Sequence, residues 1–111
     1  MIEKVIAVGA DQEGKIWTRH FGMAPFYYIF DRQGALLEKR ENPYSEAGKD
    51  HDDPTLIVEL LPECDTFLAR RIGVKSRQKL AGSLGVNPVL VTEAEAEAAV
   101  HNYLMAQQEA G

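Results

Sequence analysis

The segment Lys4–Gly9 constrains the fold most strongly, because it carries an unbroken run of β-branched and other apolar residues. A strand with one face in water alternates apolar and polar side chains, and this run does not alternate. Both of its faces must therefore be covered by other parts of the chain. We expect a strand at the centre of a sheet, with packed elements on each side.

An irregular segment follows and leads into an aromatic hairpin. Turn-forming residues occupy Asp11–Gly14, and Lys15–Pro25 has no regular periodicity, which predicts a loop. Phe26–Phe30 is dense in aromatic residues, and Leu36–Glu41 can form a second strand. The five residues between them, Asp31–Ala35, have the composition of a hairpin turn. The first half of the chain is therefore expected to be mostly β.

The polar segment Asn42–Asp53 is predicted to be a loop that leads into a first helix. Asp53 can serve as the N-cap, Pro54 as the first helical residue and Pro62 as the stop. The apolar face predicted to point inward consists of Leu56, Ile57, Leu60 and Leu61.

Strands and helices then alternate to the end of the chain. Thr66–Ala69 is predicted to be a buried strand, and Gly73–Leu84 a helix with Leu80 and Leu84 inward and Gly85 as its stop. Pro88–Val91 is the next predicted strand. A third helix is predicted from Thr92, where Thr-Glu-Ala-Glu resembles a capping box, with an inward face of Ala96, Val100, Tyr103 and Leu104.

The predicted order of elements is βββαβαβα. The last strands are separated by helices and should run parallel through right-handed crossovers, whereas the first half should be an antiparallel meander. A mixed α/β sheet with helices packed on it results. The 111 residues, 45% hydrophobic and 26% charged, fit one domain over residues 1–111 that needs no disulfide or structural metal.

Charge and cysteine content exclude several classes of function. The 12 Lys and Arg against 17 Asp and Glu give a net charge of −5, which argues against general nucleic-acid binding. No stretch approaches the roughly 18 apolar residues that span a bilayer, and no signal peptide is recognisable, so we expect neither export nor a membrane. Cys64 is the only cysteine, which rules out an intrachain disulfide and a four-cysteine cluster cage formed by one copy of the chain. A reducing cytoplasm is the expected compartment.

Two loops are the candidate ligand sites, because ligands of open α/β sheets bind beyond the carboxyl ends of the strands. They are Gly9–Gly22 and Arg70–Lys75. Five of the 12 basic residues lie within residues 70–79, whereas residues 93–111 contain four acids and no base. A local cationic pocket in an acidic protein favours a small anionic ligand. The alternative is that these basic residues only form a solvated surface and bind no ligand. We favour this alternative for Arg77 and Lys79, and we leave both interpretations open for Arg70 and Arg71.

The histidines have no spacing typical of a zinc site, so each is judged alone. His20 stands out, because it lies in the loop after the first strand, next to Phe21-Gly22. We interpret His101 and His51 as surface residues, with His51 a possible second ligand. Cys64 precedes a strand at the end away from the pocket and is interpreted as a buried structural thiol.

Catalysis is not expected from this sequence. Asp11 follows its strand and Asp65 begins one, so these carboxylates should not converge as two-metal chemistry requires. The chain contains no phosphate-binding loop, Ser-His-Asp arrangement or nucleophile elbow. We therefore predict a protein that is not an enzyme and rank a hydrolase last.

Several short motifs together resemble the dinitrogenase iron-molybdenum cofactor biosynthesis family, the NifX-like proteins. The resemblance runs over nearly the whole chain and rests on Ile6–Val8, His20–Gly22 with Ala24-Pro25, Glu41–Pro43, Ala69–Gly73 and Leu84–Val89. It implies a ribonuclease-H-like fold without nuclease activity. It also implies a carrier or chaperone that binds a labile iron-sulfur or iron-molybdenum cluster, or a precursor, and serves nitrogenase assembly or client proteins.

The family's His-Phe-Gly histidine implies His20 as the metal ligand. Many stand-alone members have a Gly/His-rich loop and a second glycine before Ile-Gly, where this chain has Gly48–Asp53 and Arg71. That difference argues against ligation by two histidines and makes the pocket more cationic. The complete predicted site is His20, Phe21, Gly22, Met23, Arg70, Arg71 and Gly73. The alternative is a cluster-free regulatory module that docks on proteins through its aromatic strand or the Asn42–Asp53 loop.

Overall fold

The computed structural model describes residues 5–44 and 54–110, with side chains to residue 108. It has a five-stranded mixed sheet and three helices, which confirms the mixed α/β class. The elements follow in the order β1 (Val5–Ala10), β2 (Phe26–Phe30), β3 (Leu36–Glu41), α1 (Thr55–Leu60), β4 (Cys64–Ala69), α2 (Val74–Ala81), β5 (Asn87–Leu90) and α3 (Ala96–Ala110). A 3-10 turn, Phe21–Met23, lies between β1 and β2. Strand β4 begins two residues earlier than predicted, and β5 is shifted by one residue.

The spatial order of the strands is β3-β2-β1-β4-β5, so β1 lies at the centre. It pairs antiparallel with β2 and parallel with β4, and Val8 faces Tyr28 on one side and Leu68 on the other. All six residues of β1 are buried. The prediction of a central strand covered on both faces is confirmed.

Each face of the sheet has its own hydrophobic core, because successive side chains of a strand point to opposite faces. One core joins Ala7 and Phe67 to Ile57 of α1 and Leu80 of α2. The other core lies under α3 and includes Ile6, Val8, Ala96, Ala99 and Val100. None of the helices in residues 5–44 and 54–110 combines the length and apolarity that a membrane span requires.

Helix α1 is shorter than predicted and buries a narrower face. It begins at Thr55 and ends at Leu60, while the predicted N-cap Asp53 lies outside the described residues. Ile57 and Leu61, four positions apart, are buried, but Leu56 is 51% exposed. The inward assignment of Leu56 was wrong, because so short a helix presents only one narrow stripe to the sheet.

Helix α2 ends three residues before the predicted boundary. Its last residue is Ala81, and Gly82 takes the C-cap position. Leu80 is buried as predicted, and Leu84 packs against the same core from outside the helix. The chain turns back early, since the Leu84 N–H donates to the Lys79 carbonyl and the Val86 N–H to the Leu80 carbonyl. Gly85 has a positive φ of 65° in this turn, the backbone conformation that favours glycine.

Helix α3 begins at Ala96, so the predicted capping box at Thr92 does not form. Glu95, the expected N3 residue, instead forms a backbone bridge with Lys15. The Ala96 N–H donates to the Gly14 carbonyl over 2.9 Å. Pairing with the loop after β1 therefore holds Glu95 outside the helix and delays its start.

Candidate functional site

The loop after β1 folds back on the end of its own strand. Ala10 pairs with Ile16, and the Trp17 N–H donates to the Gly9 carbonyl over 3.0 Å. The Asp11 carboxylate closes the turn by accepting hydrogen bonds from the backbone N–H groups of Glu13 and Lys15, at 2.9 and 3.0 Å. This ordered turn carries the chain across the carboxyl end of β1 toward β4.

The two loops proposed separately from the sequence meet at His20 and Arg71. These residues form an isolated parallel bridge, and the Phe21 N–H donates to the Arg71 carbonyl over 2.9 Å. His20 is half-buried, whereas Arg71 is exposed. An imidazole-bearing residue and a guanidinium-bearing residue thus stand on paired backbone segments at the carboxyl edge of the sheet.

Phe21 anchors the 3-10 turn in the core. Its ring stacks on Phe67 with the centroids 4.7 Å apart and lies tilted against Tyr27 at 4.8 Å. A Cβ on Gly9 would approach the Phe21 ring to 3.2 Å, so the glycine leaves room for this ring. Phe21 therefore supports the site from the core side.

Gly22 and Met23, the next two residues of the predicted site, are half-buried. A Cβ on Gly22 would meet only Ile57, at 3.9 Å.

Asn42 and Tyr27 hold the same turn by hydrogen bonds. The Asn42 Nδ2 donates to the carbonyls of Gly22 (3.1 Å) and Ala24 (2.8 Å), and the Tyr27 hydroxyl donates to the Phe21 carbonyl over 2.7 Å. Both side chains are buried. Burial raises the pKa of Tyr27, so its hydroxyl stays a neutral donor. No local pattern in the sequence predicts these contacts, and the only signal is the presence of Asn42 within the Glu41–Pro43 motif.

Arg70 and Arg71 follow the same strand but have different surroundings. One terminal nitrogen of Arg70 donates to the carbonyls of Thr92 and Glu93, at 3.2 and 2.7 Å, and the guanidinium thereby holds the loop before α3. Its Nε is buried and has no hydrogen-bond partner among the described residues. The Arg71 guanidinium forms no ion pair within residues 5–44 and 54–108.

Gly73 is the N-cap of α2, with extended backbone angles and no side-chain cap. Gly73 itself has no side chain that could accept hydrogen bonds from the first N–H groups of the helix, and the helix dipole is positive at this end. Lys75, in the first turn, is exposed and adds another positive charge. This part of the site is suited to an anion.

Cys64 lies at the other end of the sheet. It begins β4 and pairs with Val5 at the start of β1, whereas Arg70 follows the last residue of β4. Six residue steps along the strand separate the two by about 20 Å. Cys64 is buried, and burial together with the neighbouring Glu63 carboxylate raises the pKa of its thiol to about 12. A thiol with this pKa stays protonated near neutral pH.

His101 lies away from the site. His101 is exposed on α3, which packs on the opposite face of the sheet, and His51 lies outside the described residues. No group of three or more His, Cys, Asp or Glu that could hold a metal ion occurs within the described ranges. The aromatic strand β2 is paired on both edges and largely buried, so it is not a free docking surface.

Comparisons with known proteins agree with the resemblance noted above. The family model described as dinitrogenase iron-molybdenum cofactor matches residues 3–106. The solved apo form of the orange protein from Desulfovibrio gigas is 21% identical, with a TM-score of 0.76 over 95% of this chain and 90% of that chain. The NMR structure of a Thermotoga protein of the DUF35 family is 17% identical, with a TM-score of 0.70 over 94% and 90%. Among curated proteins none matches significantly. At these identities the solved structures support the fold alone.

Proposed function

The chain belongs to the dinitrogenase iron-molybdenum cofactor family, and we propose that it is a non-catalytic carrier for an anionic iron-sulfur or iron-molybdenum cluster, or a precursor of one. The observation that carries this proposal is the backbone pairing of His20 with Arg71. It joins a metal-binding side chain to a cationic segment that leads into the positive end of α2.

In this proposal His20 supplies the one imidazole ligand to the cargo, and the Met23 thioether is a soft donor on the same turn. Arg71 neutralises cluster charge and donates hydrogen bonds, and the backbone N–H groups after Gly73 do the same. Phe21 and Gly22 shape the turn that presents His20. Arg70 contributes positive charge from a position held by the Thr92 and Glu93 carbonyls.

A carrier must release its cargo, and the small number of metal ligands at the proposed site supports weak, reversible binding. The described residues contain no group of three metal ligands, and Cys64 is buried at the far end of β4. One imidazole with surrounding cations binds less permanently than a four-cysteine cage. Transfer to a client would then require breaking few metal-ligand bonds.

The rest of the proposal follows from family membership. We infer a single domain over residues 1–111, a ribonuclease-H-like arrangement and a place in the cytoplasm among nitrogenase assembly or client proteins. The net charge of −5 supports an interaction with cluster cargo and proteins rather than with nucleic acid.

Anaerobic loading tests the proposal. The protein is incubated without oxygen with ferrous iron and sulfide, or with isolated iron-molybdenum cofactor, and then desalted. Bound iron per chain, visible absorption and quenching of the fluorescence of Trp17, the only tryptophan, are measured. We expect binding by the parent and by His101→Ala, and weaker binding by His20→Ala. Equal iron in the parent and in His20→Ala would overturn the proposed site, and absence of binding by the parent would overturn the function.

A further inference from the structure

The carboxamide of Asn42 holds the turn that carries His20 from inside the protein. Asn42 directly follows β3 and is 3% exposed. Its Nδ2 donates to the Gly22 and Ala24 carbonyls, and its backbone N–H donates to the Pro25 carbonyl over 2.9 Å. The Oδ1 accepts a hydrogen bond from the Tyr44 N–H over 2.9 Å. Both ends of the carboxamide are thus used.

Tyr27 completes this arrangement from the neighbouring strand. Its hydroxyl donates to the Phe21 carbonyl over 2.7 Å and lies 3.2 Å from the Asn42 Nδ2, whose two N–H groups it shares as an acceptor with the Gly22 and Ala24 carbonyls. Two buried side chains therefore bind three carbonyls of one short turn, those of Phe21, Gly22 and Ala24. Two backbone bonds also close the turn, from the Met23 N–H to the His20 carbonyl and from the Ala24 N–H to the Phe21 carbonyl.

We propose that Asn42 is the positioning residue of the cargo site: together with Tyr27 it fixes the backbone of Phe21–Ala24 and so sets the direction of the His20 and Met23 side chains. This inference rests on the proposed function. Asn42 does not touch the cargo and acts through His20. The chemistry requires an amide at this position, because an aspartate of the same size would face two carbonyl oxygens without a donor.

The first test needs no cargo. Amide hydrogen exchange is compared in the parent, Asn42→Asp and Tyr27→Phe. We expect the Met23 and Ala24 amides to exchange at least tenfold faster in Asn42→Asp, with the β1 and β4 amides unchanged. Unchanged exchange in the turn, or equal acceleration over the whole chain, would overturn positioning. If Asn42→Asp does not fold, Tyr27→Phe decides by the same measurement, because it removes only the bond to the Phe21 carbonyl and one acceptor.

The second test asks whether Asn42 acts through His20. Iron retained after anaerobic loading with ferrous iron and sulfide is measured in Asn42→Asp, in His20→Ala and in the double variant. We expect Asn42→Asp to weaken binding about tenfold on its own and by a clearly smaller factor in the His20→Ala background, where only Met23 is left to position, the non-additivity of two residues that act as one unit. Additive losses would overturn the positioning role. If the parent binds no iron, the proposed function fails, while the exchange experiment still decides whether Asn42 holds the turn.

Discussion

His20 and Arg71 lie 51 positions apart in the sequence and are paired backbone to backbone at the carboxyl edge of the sheet. The pairing extends the parallel β1–β4 contact beyond the ends of both strands, because the Phe21 N–H donates to the Arg71 carbonyl. The loop that leaves β1 therefore returns to the segment just after β4 and pairs with it. This relationship places the loop histidine beside the start of α2, and each prediction about binding depends on it.

Replacing His20 by Ala should weaken cluster binding and leave the stability of the fold almost unchanged. We expect the affinity for an anaerobically loaded cluster to fall at least about tenfold, since the residue is the proposed metal ligand. The free energy of unfolding should change by less than about 0.5 kcal/mol, because the histidine side chain is half-buried and makes no capping hydrogen bond to the 3-10 turn that follows it. Iron per chain and urea unfolding measure the two effects. His101→Ala, an exposed histidine on α3, is the control and should change neither quantity.

The two arginines should contribute differently. Arg71→Ala should weaken cluster binding and reduce its dependence on salt, since screening acts on exposed charges over a Debye length of about 10 Å at 0.1 M salt. Arg70→Ala should also lower stability, because it leaves the Thr92 and Glu93 carbonyls without their donor. Binding titrations at low and high salt test this, with Lys39→Ala on β3 as the control. An affinity of the parent that does not vary with salt would contradict the cationic site.

Cys64→Ser should bind cargo as the parent does but be less stable. A buried hydroxyl in place of the thiol needs a hydrogen-bond partner or costs about 1–3 kcal/mol. Iron per chain and the thermal midpoint are measured on the same sample. Loss of iron at unchanged stability would place the site at the amino end of β4.

The thiol of Cys64 should be unreactive in the folded protein. Its pKa is raised to about 12, chiefly by burial, so the thiolate is scarce at pH 8. We expect alkylation by iodoacetamide to be slow in buffer and rapid in denaturing urea. Rapid alkylation under native conditions would show that the amino end of β4 opens readily.

The free energy of unfolding should decrease in acid, because protonation breaks the ion pairs of Arg40. Hydrogen bonds from Arg40 hold the pKa values of Glu38 and Glu63 below their ordinary value of 4.5. Because the folded-state pKa values are lowered, their stabilisation is present above pH 4.5 and is lost as the pH falls through the folded values. Both carboxylates are partly exposed, so the two pairs together contribute only about 1 kcal/mol.

Arg40→Met is the variant that tests this dependence. It should be less stable than the parent at pH 7. It should also lose less stability between pH 5 and pH 3, because Glu38 and Glu63 form no ion pair with residue 40 that protonation could break. Urea unfolding across this pH range measures the difference, with Lys39→Met as the matched control on the same strand. Parallel pH profiles for the parent and Arg40→Met would show that these pairs do not govern acid stability.

The sequence by itself determined the centre of the fold. The unbroken apolar run of β1 requires cover on both faces, and the aromatic hairpin, the alternating second half and the remote position of Cys64 follow from local patterns and right-handed crossovers. These features depend on periodicity and chain order, which a single sequence contains. The two loops that form the candidate site were recognised for the same reason, since strand ends indicate where ligands bind.

Only the tertiary structure decided how those loops are held. Asn42 binds the carbonyls of the His20 turn, Arg70 binds the loop before α3, and Gly14 accepts the first N–H of α3, each across many residues of sequence. The delayed start of α3 and the exposure of Leu56 have the same origin, because they depend on which neighbour each segment meets. Every residue has a backbone carbonyl, so neither composition nor spacing indicates which carbonyl a given side chain or N–H group will bind. The folded structure alone determines that partner.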